Sequence, residues 1–279
     1  MFGFLNVYKP EGMTSHDVVY RVRKIFNIKK VGHAGTLDPM AQGVLPIGVG
    51  NATRLFDYLP NQKEYIAELK FGYISDTYDS EGKIEKFSDV RIYADDAAKA
   101  LCDFEGDISQ KPPIYSAVKV NGKKLYDYAR KGIETKIPER IIHVDKIELL
   151  DFNRGENTAK IIVNCSKGTY IRSIIHDLGL KLKAGAYMTA LTRTLSSGMT
   201  VDNSVNIEEI TLSSLILPEK ILNFPVIEIS TDQFQKVKNG NPADVGCNDG
   251  LAFLKYNDKI ISLANVSDGT AYSRKVFVC

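Results

Sequence analysis

VGHAGTLDPMAQGVLPIGVGNATRL, residues 31–55, changes character halfway along. Its first half holds Gly32, Gly35, Pro39 and Gly43 with no apolar period, so it reads as a loop, while Val44–Val49 reads as a buried strand. Asn51 then stands where an N-cap would open a short helix to Leu59. Asp38 precedes Pro39, which biases its backbone away from helix, and Gly35 and Gly43 permit tight turns nearby. A carboxylate on such a loop, with His33 five residues earlier, fits a nucleophile, a general base or a metal ligand. The plain alternative is an Asx turn at Asp38 and a surface histidine.

Outward from this loop, residues 3–9 read as a strand ending in the turn Pro10-Glu11-Gly12. Ser15 is placed to cap a helix to Phe26, with Val18, Val19, Val22, Ile25 and Phe26 at helical spacing. Tyr65, Ala67, Leu69 and Phe71 alternate, so one face of a strand points inward, and Tyr65 on it reads by default as a core tyrosine. The polar, acidic stretch 75–90 reads as a connecting loop. Helices are expected over 95–104 and 123–131, paired strands over 141–152 and 159–166, and an amphipathic helix from Thr169. In SKGTYIRS, residues 166–173, that helix start offers free amide donors, and Arg172 beside it fits a carboxylate partner or a phosphate. After Phe224-Pro225 the texture turns to short strands with Gly/Asn/Asp turns, read as an all-β module of about 50–55 residues. The expected architecture is α+β: a mixed, mainly antiparallel sheet with flanking helices over 1–223, and a small β module over 224–279.

At 279 residues, with 44% hydrophobic and 25% charged, the chain has the composition of a globular protein and not of a disordered one. Thirty-six basic and 34 acidic residues leave a net charge of only +2. The charge is nevertheless segregated: residues 111–146 carry nine basic against four acidic groups, and 160–193 carry six against one. Such clusters suit a phosphate-rich ligand, although solvated faces look the same from composition alone. Four widely spaced cysteines suggest neither a disulfide scaffold nor a zinc ribbon, and the four scattered histidines give no metal-ligand spacing. No run of 18 apolar residues and no signal-peptide pattern occurs, so the expected compartment is the cytoplasm.

KPEGMTSHDVV (9–19), the 31–55 block, KEYIAELKFGYISDTYDSEG (63–82) and CSKGTYIRSIIHDLG (165–179) occur in the order found in TruB-type tRNA pseudouridine synthases. The resemblance spans about residues 3–220, and the terminal segment resembles a PUA-type RNA-binding module. It implies isomerisation of the T-loop uridine at position 55 of tRNA to pseudouridine, with the target extruded from its stack. By that resemblance Asp38 is the catalytic aspartate, attacking either C1′ of the ribose or C6 of the uracil. Tyr65 stacks on the base and helps remove the C5 proton, and Arg172 pairs with Asp38, lowering its pKa. His33 enters the T-loop as the uridine leaves, Lys9 supports the active-site wall, and Tyr170 and Leu191 line the base pocket. No metal, no organic cofactor, no membrane and no protein partner is implied, and the chain is expected to be a monomer acting on the tRNA T-arm.

Three positions depart from that pattern. Thr192 stands where a second arginine is frequent, Ser197-Gly198-Met199 replaces a Gly-Pro-Phe-like end, and the terminal module is short. The rival readings are a catalytically idle tRNA-binding or RNA-chaperone protein on the same fold, and a nucleoside glycosidase. The glycosidase needs a second carboxylate, and none accompanies Asp38 within its loop.

Overall fold

Tyr65, Ala67, Leu69 and Phe71 are buried along the Lys63–Phe71 strand while Glu68 is exposed, the two-residue period of a strand with one face in the core. The computed structural model describes residues 2–277 apart from 117, 121, 126, 127, 129–132, 134 and 136. In it this strand pairs with Thr158–Cys165 on one side and Ala186–Ser196 on the other. The sheet runs Gly3–Lys9, Gln42–Val49, Ala186–Ser196, Lys63–Phe71, Thr158–Cys165, Arg140–Asn153, Gly106–Gln110, with two short strands, Val31–His33 and Met199–Thr200, added to it. All of its pairings are antiparallel except the seam between Gln42–Val49 and Ala186–Ser196. The expected mixed, mainly antiparallel α+β fold is what the chain forms.

At that seam Gly43 pairs with Arg193 and has φ +103°, and a Cβ there would lie 2.3 Å from the Arg193 carbonyl oxygen. Only glycine allows both the backbone conformation and the approach. The seam therefore sets where the loop carrying Asp38 re-enters the sheet.

Helix α1 (Ser15–Phe26) buries Val18, Val19 and Val22 against Leu5, Leu45 and Ile47. Its cap is Thr14, not Ser15: Thr14 forms a reciprocal capping box with Asp17, three positions on. Ser15 is buried instead, donating to the Leu37 carbonyl (3.0 Å) and accepting from the Leu37 amide (2.8 Å). Helix α2 (Ala94–Cys102) and helix α3 (Ile171–Lys181) cover the other half of the sheet. α3 begins two residues after Thr169, with Tyr170 as its N-cap.

Three local expectations change. Gly50–Tyr58 is a 3₁₀ helix without a side-chain cap, because its N-cap position falls on Val49 and Asn51, already inside the helix, has its side-chain oxygen accepting from Lys30 Nζ (2.7 Å). Stretch 75–90 is not a plain loop, since Tyr73–Ser75 pairs with Ile84–Lys86. Of the helix expected over 123–131, Lys123–Lys124 is a strand paired with Lys119–Val120, Leu125 and Tyr128 are helical as expected, and the remainder lies outside the described residues.

The second sheet runs Val226–Glu228, Gly250–Tyr256, Lys259–Ser267, Thr270–Val276, Ala243–Asp244. It is not all-β: α4 (Thr231–Lys238) has a Ser230–Gln233 capping box, with Val237 buried and Phe234 stacked on Tyr256 at 4.4 Å. Phe253, Ile260, Leu263 and Phe277 share one apolar cluster with Phe4, Val44 and Leu55 of the first unit. Among the described residues no helix is long and apolar enough to cross a membrane.

Gly43→Ala is expected to cost about 2–4 kcal/mol in urea unfolding. Gly12→Ala is expected to cost ~1 kcal/mol, because Gly12 shares a positive φ (+83°) but would meet nothing within 4 Å. Equal costs would show that the seam tolerates a side chain.

Candidate active site

Asp38 is held from both neighbours. Ser15 pins the backbone of Leu37, and the Pro39 carbonyl accepts from the Gly12 amide (2.9 Å) and from Lys9 Nζ (3.2 Å). Lys9 is wholly buried and also donates to the carbonyls of Pro10 and Met13, so all three ammonium protons have acceptors. None of those acceptors carries a charge, and burial lowers the Lys9 pKa to about 8.

Opposite stands the first turn of α3. Its entry is fixed by Gln110, whose side-chain amide accepts from the Tyr170 amide (2.8 Å) and donates to the Tyr170 carbonyl (3.0 Å). Arg172, 5% exposed, projects from there between two carboxylates. Nη2 meets Asp38 Oδ2 at 2.8 Å and Nη1 meets Asp79 Oδ2 at 3.1 Å. Nη1 and Nη2 also donate to the carbonyls of Thr77 and Tyr115, each at 3.1 Å. Asp79 is buried, and its second oxygen accepts from Thr77 Oγ1 and the Glu81 amide.

Between Thr77 and Asp79 lies Tyr78, at φ +66°, a costly conformation for a bulky side chain. Its ring stacks on His176 of α3 at 3.9 Å, and its carbonyl accepts from the Met188 amide at 3.0 Å. Strained backbone persists where the surroundings over-determine it, and here it delivers two acceptors to one guanidinium.

Asp38, Tyr65, Tyr170, Arg172 and Leu191 line one cleft of about 220 Å³, together with Thr36, Leu37, Lys63, Ser116 and residues 168, 169 and 171. That is smaller than the ~300–1,000 Å³ of pockets for drug-sized ligands. A polar edge of carboxylate and guanidinium faces ring and aliphatic walls, a shape suited to one small planar group. Lys9 lies behind this wall. His33 lines an adjoining cavity of about 250 Å³ with Phe56, Asp57, Pro60, Lys63 and Lys167 among others. Five of the seven residues singled out from sequence thus share the cleft, and two do not.

The Asp38 pKa does not fall as expected from its pairing. Burial pushes the carboxyl up, Asp79 adds to this, and Arg172 opposes both without prevailing. Burial is the main cause, and because one guanidinium serves two carboxylates, the pairing with Arg172 does not offset it. Burial likewise raises the Tyr65 phenol, against the pull of Arg193 beside it, and lowers the His33 imidazole.

Sequence reasoning missed three residues here. Asp79 looked like one acid among many. Lys63 lines both cavities. Arg193 is wholly buried, with Nε on the Val44 carbonyl (2.7 Å) and Nη2 on that of Gly35 (3.2 Å). Its alternation with Leu191 was a usable signal. Among the described residues no group of three or more His, Cys, Asp or Glu is arranged to hold a metal ion.

Residues 23–171 match the model of the TruB family pseudouridylate synthase, N-terminal domain. The chain is 45% identical to the tRNA pseudouridine synthase B of Carboxydothermus hydrogenoformans, over 99% of each chain. It is 41% identical to that of Acaryochloris marina, over 96% of each. Among solved structures, one of a Cbf5–Nop10–Gar1 complex matches with a TM-score of 0.71 and 28% identity, over 99% of this chain and 85% of that one. One of an H/ACA RNP bound to a substrate RNA containing 2′-deoxyuridine matches at 0.70 and 26%, over 100% and 86%.

Arg172→Met is expected to destabilise the protein by about 3–5 kcal/mol at neutral pH, because it strands the buried Asp79 carboxylate. Adding Asp79→Asn should recover part of that loss, which urea unfolding of the single and double variants would register. A double variant no more stable than Arg172→Met would mean that Arg172 acts through packing alone.

Proposed function

Since the chain belongs to the TruB family of pseudouridylate synthases and is a tRNA pseudouridine synthase, we propose that it acts on the T-loop uridine at position 55, with Asp38 as the nucleophile. The supporting observation is the gathering of Asp38, Arg172, Tyr65 and Leu191 around one cleft of nucleobase size.

The isomerisation breaks the N1–C1′ bond and forms a C5–C1′ bond, with a proton leaving C5 and one arriving at N1. No group is added or lost. The detached uracil must therefore be kept in place while it turns, and a cleft closed by Tyr65, Tyr170 and Leu191 does that. A uridine within a folded T-loop reaches such a recess only by leaving its stack. Asp38, with 36% of its side chain exposed, faces the cleft while its other contacts hold it still. Its attack falls on C1′ or on C6; either carbon lies on the nucleotide admitted to this recess.

Tyr65, its phenol pushed up by burial, is protonated near neutral pH. That favours stacking over C5 deprotonation as its part in the reaction. His33, whose imidazole burial holds neutral near pH 7, borders the neighbouring cavity and fits the position the uridine vacates. Lys9 acts through Pro39 as a positioning residue.

Residues 1–223 form the catalytic unit and 224–279 a PUA-like module that adds RNA contact. The basic stretches 111–146 and 160–193 follow the tRNA backbone. The protein works as a cytoplasmic monomer on the T-arm, and its own side chains suffice for the chemistry without metal or organic cofactor.

Asp38→Asn is expected to abolish pseudouridine formation in an unmodified tRNA transcript, read by chemical mapping, while leaving the tRNA dissociation constant within about threefold. For the wild type, activity should fall on acidification at a pH above the ordinary aspartate pKa of about 3.9, because the raised carboxyl protonates earlier. Turnover by Asp38→Asn would overturn the nucleophile assignment.

A further inference from the structure

We propose that Lys63 binds the backbone phosphate of the extruded nucleotide, bridging the cleft that takes its base and the cavity beside His33. The proposal rests on the assignment of that cleft to the target base.

Lys63 opens the central strand and borders both cavities. It makes no salt bridge and no side-chain hydrogen bond among the described residues, although its ammonium is withdrawn from solvent. Gly35 marks how close it lies to a second cation. A Cβ on Gly35 would fall 3.1 Å from Lys63 Nζ and 3.8 Å from Arg193 Nη1. Arg193 gives Nε, Nη1 and Nη2 to the carbonyls of Val44, Thr36 and Gly35, so its charge too has no carboxylate partner. Lys167 adds a third cation to the second cavity, where Asp57 is the one carboxylate on the lining. In the cleft, Asp38 is engaged with Arg172.

Like charges, one wholly and one partly buried, placed side by side without a counter-ion cost stability, and proteins retain such arrangements where a ligand supplies the missing charge. Burial and the charges of Arg193 and Lys167 lower the Lys63 pKa to about 8. A phosphodiester is the anion that a nucleotide in the cleft carries with it. Once its base is seated, its sugar–phosphate must leave across the rim shared by the two cavities. The ammonium on that rim offers three donors and a full charge.

The groups facing Lys63 are Arg193 from Ala186–Ser196, Cys165 from Thr158–Cys165, Lys167, and around the cavities Asp38, Tyr65, Tyr170, Arg172, His33 and Asp57. Cys165 is raised to about 11, both tyrosines are raised and His33 is lowered. Lys9 also titrates near 8, and a Lys63→Arg variant, which keeps Lys9, separates the two.

The test measures filter binding of a T-arm hairpin transcript to full-length wild type, Lys63→Met and Lys63→Arg across a salt series at pH 7, and again at pH 9. Lys63→Met should bind about tenfold more weakly, with a log K against log salt slope shallower by about 0.7–0.9. Lys63→Arg should restore both. Wild-type affinity should fall from pH 7 to pH 9 more than that of Lys63→Arg, since only the ammonium is lost. Lys63→Met should unfold at the same temperature as wild type or higher, because it removes an uncompensated buried charge. An unchanged salt slope in Lys63→Met, or a lower unfolding temperature, would overturn the proposal. Wild type that binds the hairpin without forming pseudouridine in it would refute the target position, while the Lys63 comparison, read from binding alone, would still stand or fall by itself.

Discussion

One guanidinium divided between two carboxylates governs this molecule. Arg172 is buried, and a buried cation is tolerated only with partners for its charge and its donors. Asp38 and Asp79 supply the charge, and the carbonyls of Thr77 and Tyr115 take further donors. The three charged groups come from different segments, so the ion triad can form only when helix α3, the stretch after the central strand and the loop after α1 have all docked. Asp79 has almost no access to solvent, whereas Asp38 keeps a face open to the cleft. The same cation thus serves one carboxylate sealed in the interior and one that faces the cleft, separated by burial alone.

The loop bearing Asp38 depends on uncharged contacts of equal specificity. Lys9, Ser15 and Gly12 hold its two flanks, and Gly43 returns it to the sheet at the parallel seam. Lys9 and Arg193 are both wholly buried and bound mainly to backbone carbonyls. Carbonyl dipoles satisfy their hydrogen-bonding capacity without neutralising them. Their positive charge therefore persists around the cleft, where it partly offsets the negative triad and leaves a field suited to an anionic substrate.

Most of this was legible along the chain where chemistry and local geometry coincide. The alternation over 65–71 placed Tyr65 on the core face, and the Asp38-Pro39 loop between glycines was plainly special. Asp79 was not legible from its surroundings: it stands in a stretch of acids and turn formers, and only a tertiary ion pair separates a buried carboxylate from its solvated neighbours. Arg193 was obscured by the missing arginine at 192, although the strand period that turns Leu191 inward turns Arg193 inward as well. Ser15 and Thr14 are both hydroxyls at a helix start, and the choice between them fell to Asp17, which stands at the third position only for Thr14. Helix α4 was hidden because eight residues between turns leave too little period to recognise.

The shifts around the cleft share a direction that isolated residues would not have. Burial raises Asp38 and lowers Lys9, Lys63 and His33, so each is moved towards its neutral form. A site organised solely for stability would have paired these groups off or replaced them with apolar ones. Here the uncompensated charge is confined to the rim and floor of one recess and the cavity beside it. In the reading proposed above, a bound nucleotide brings the features that relieve it: a flat ring for Tyr65 and Leu191, and a phosphate for the cations that lack a carboxylate partner among the described residues. Substrate admission and electrostatic relief are then one event, and RNA that cannot extrude a base gains none of that relief however well it matches the outer charge.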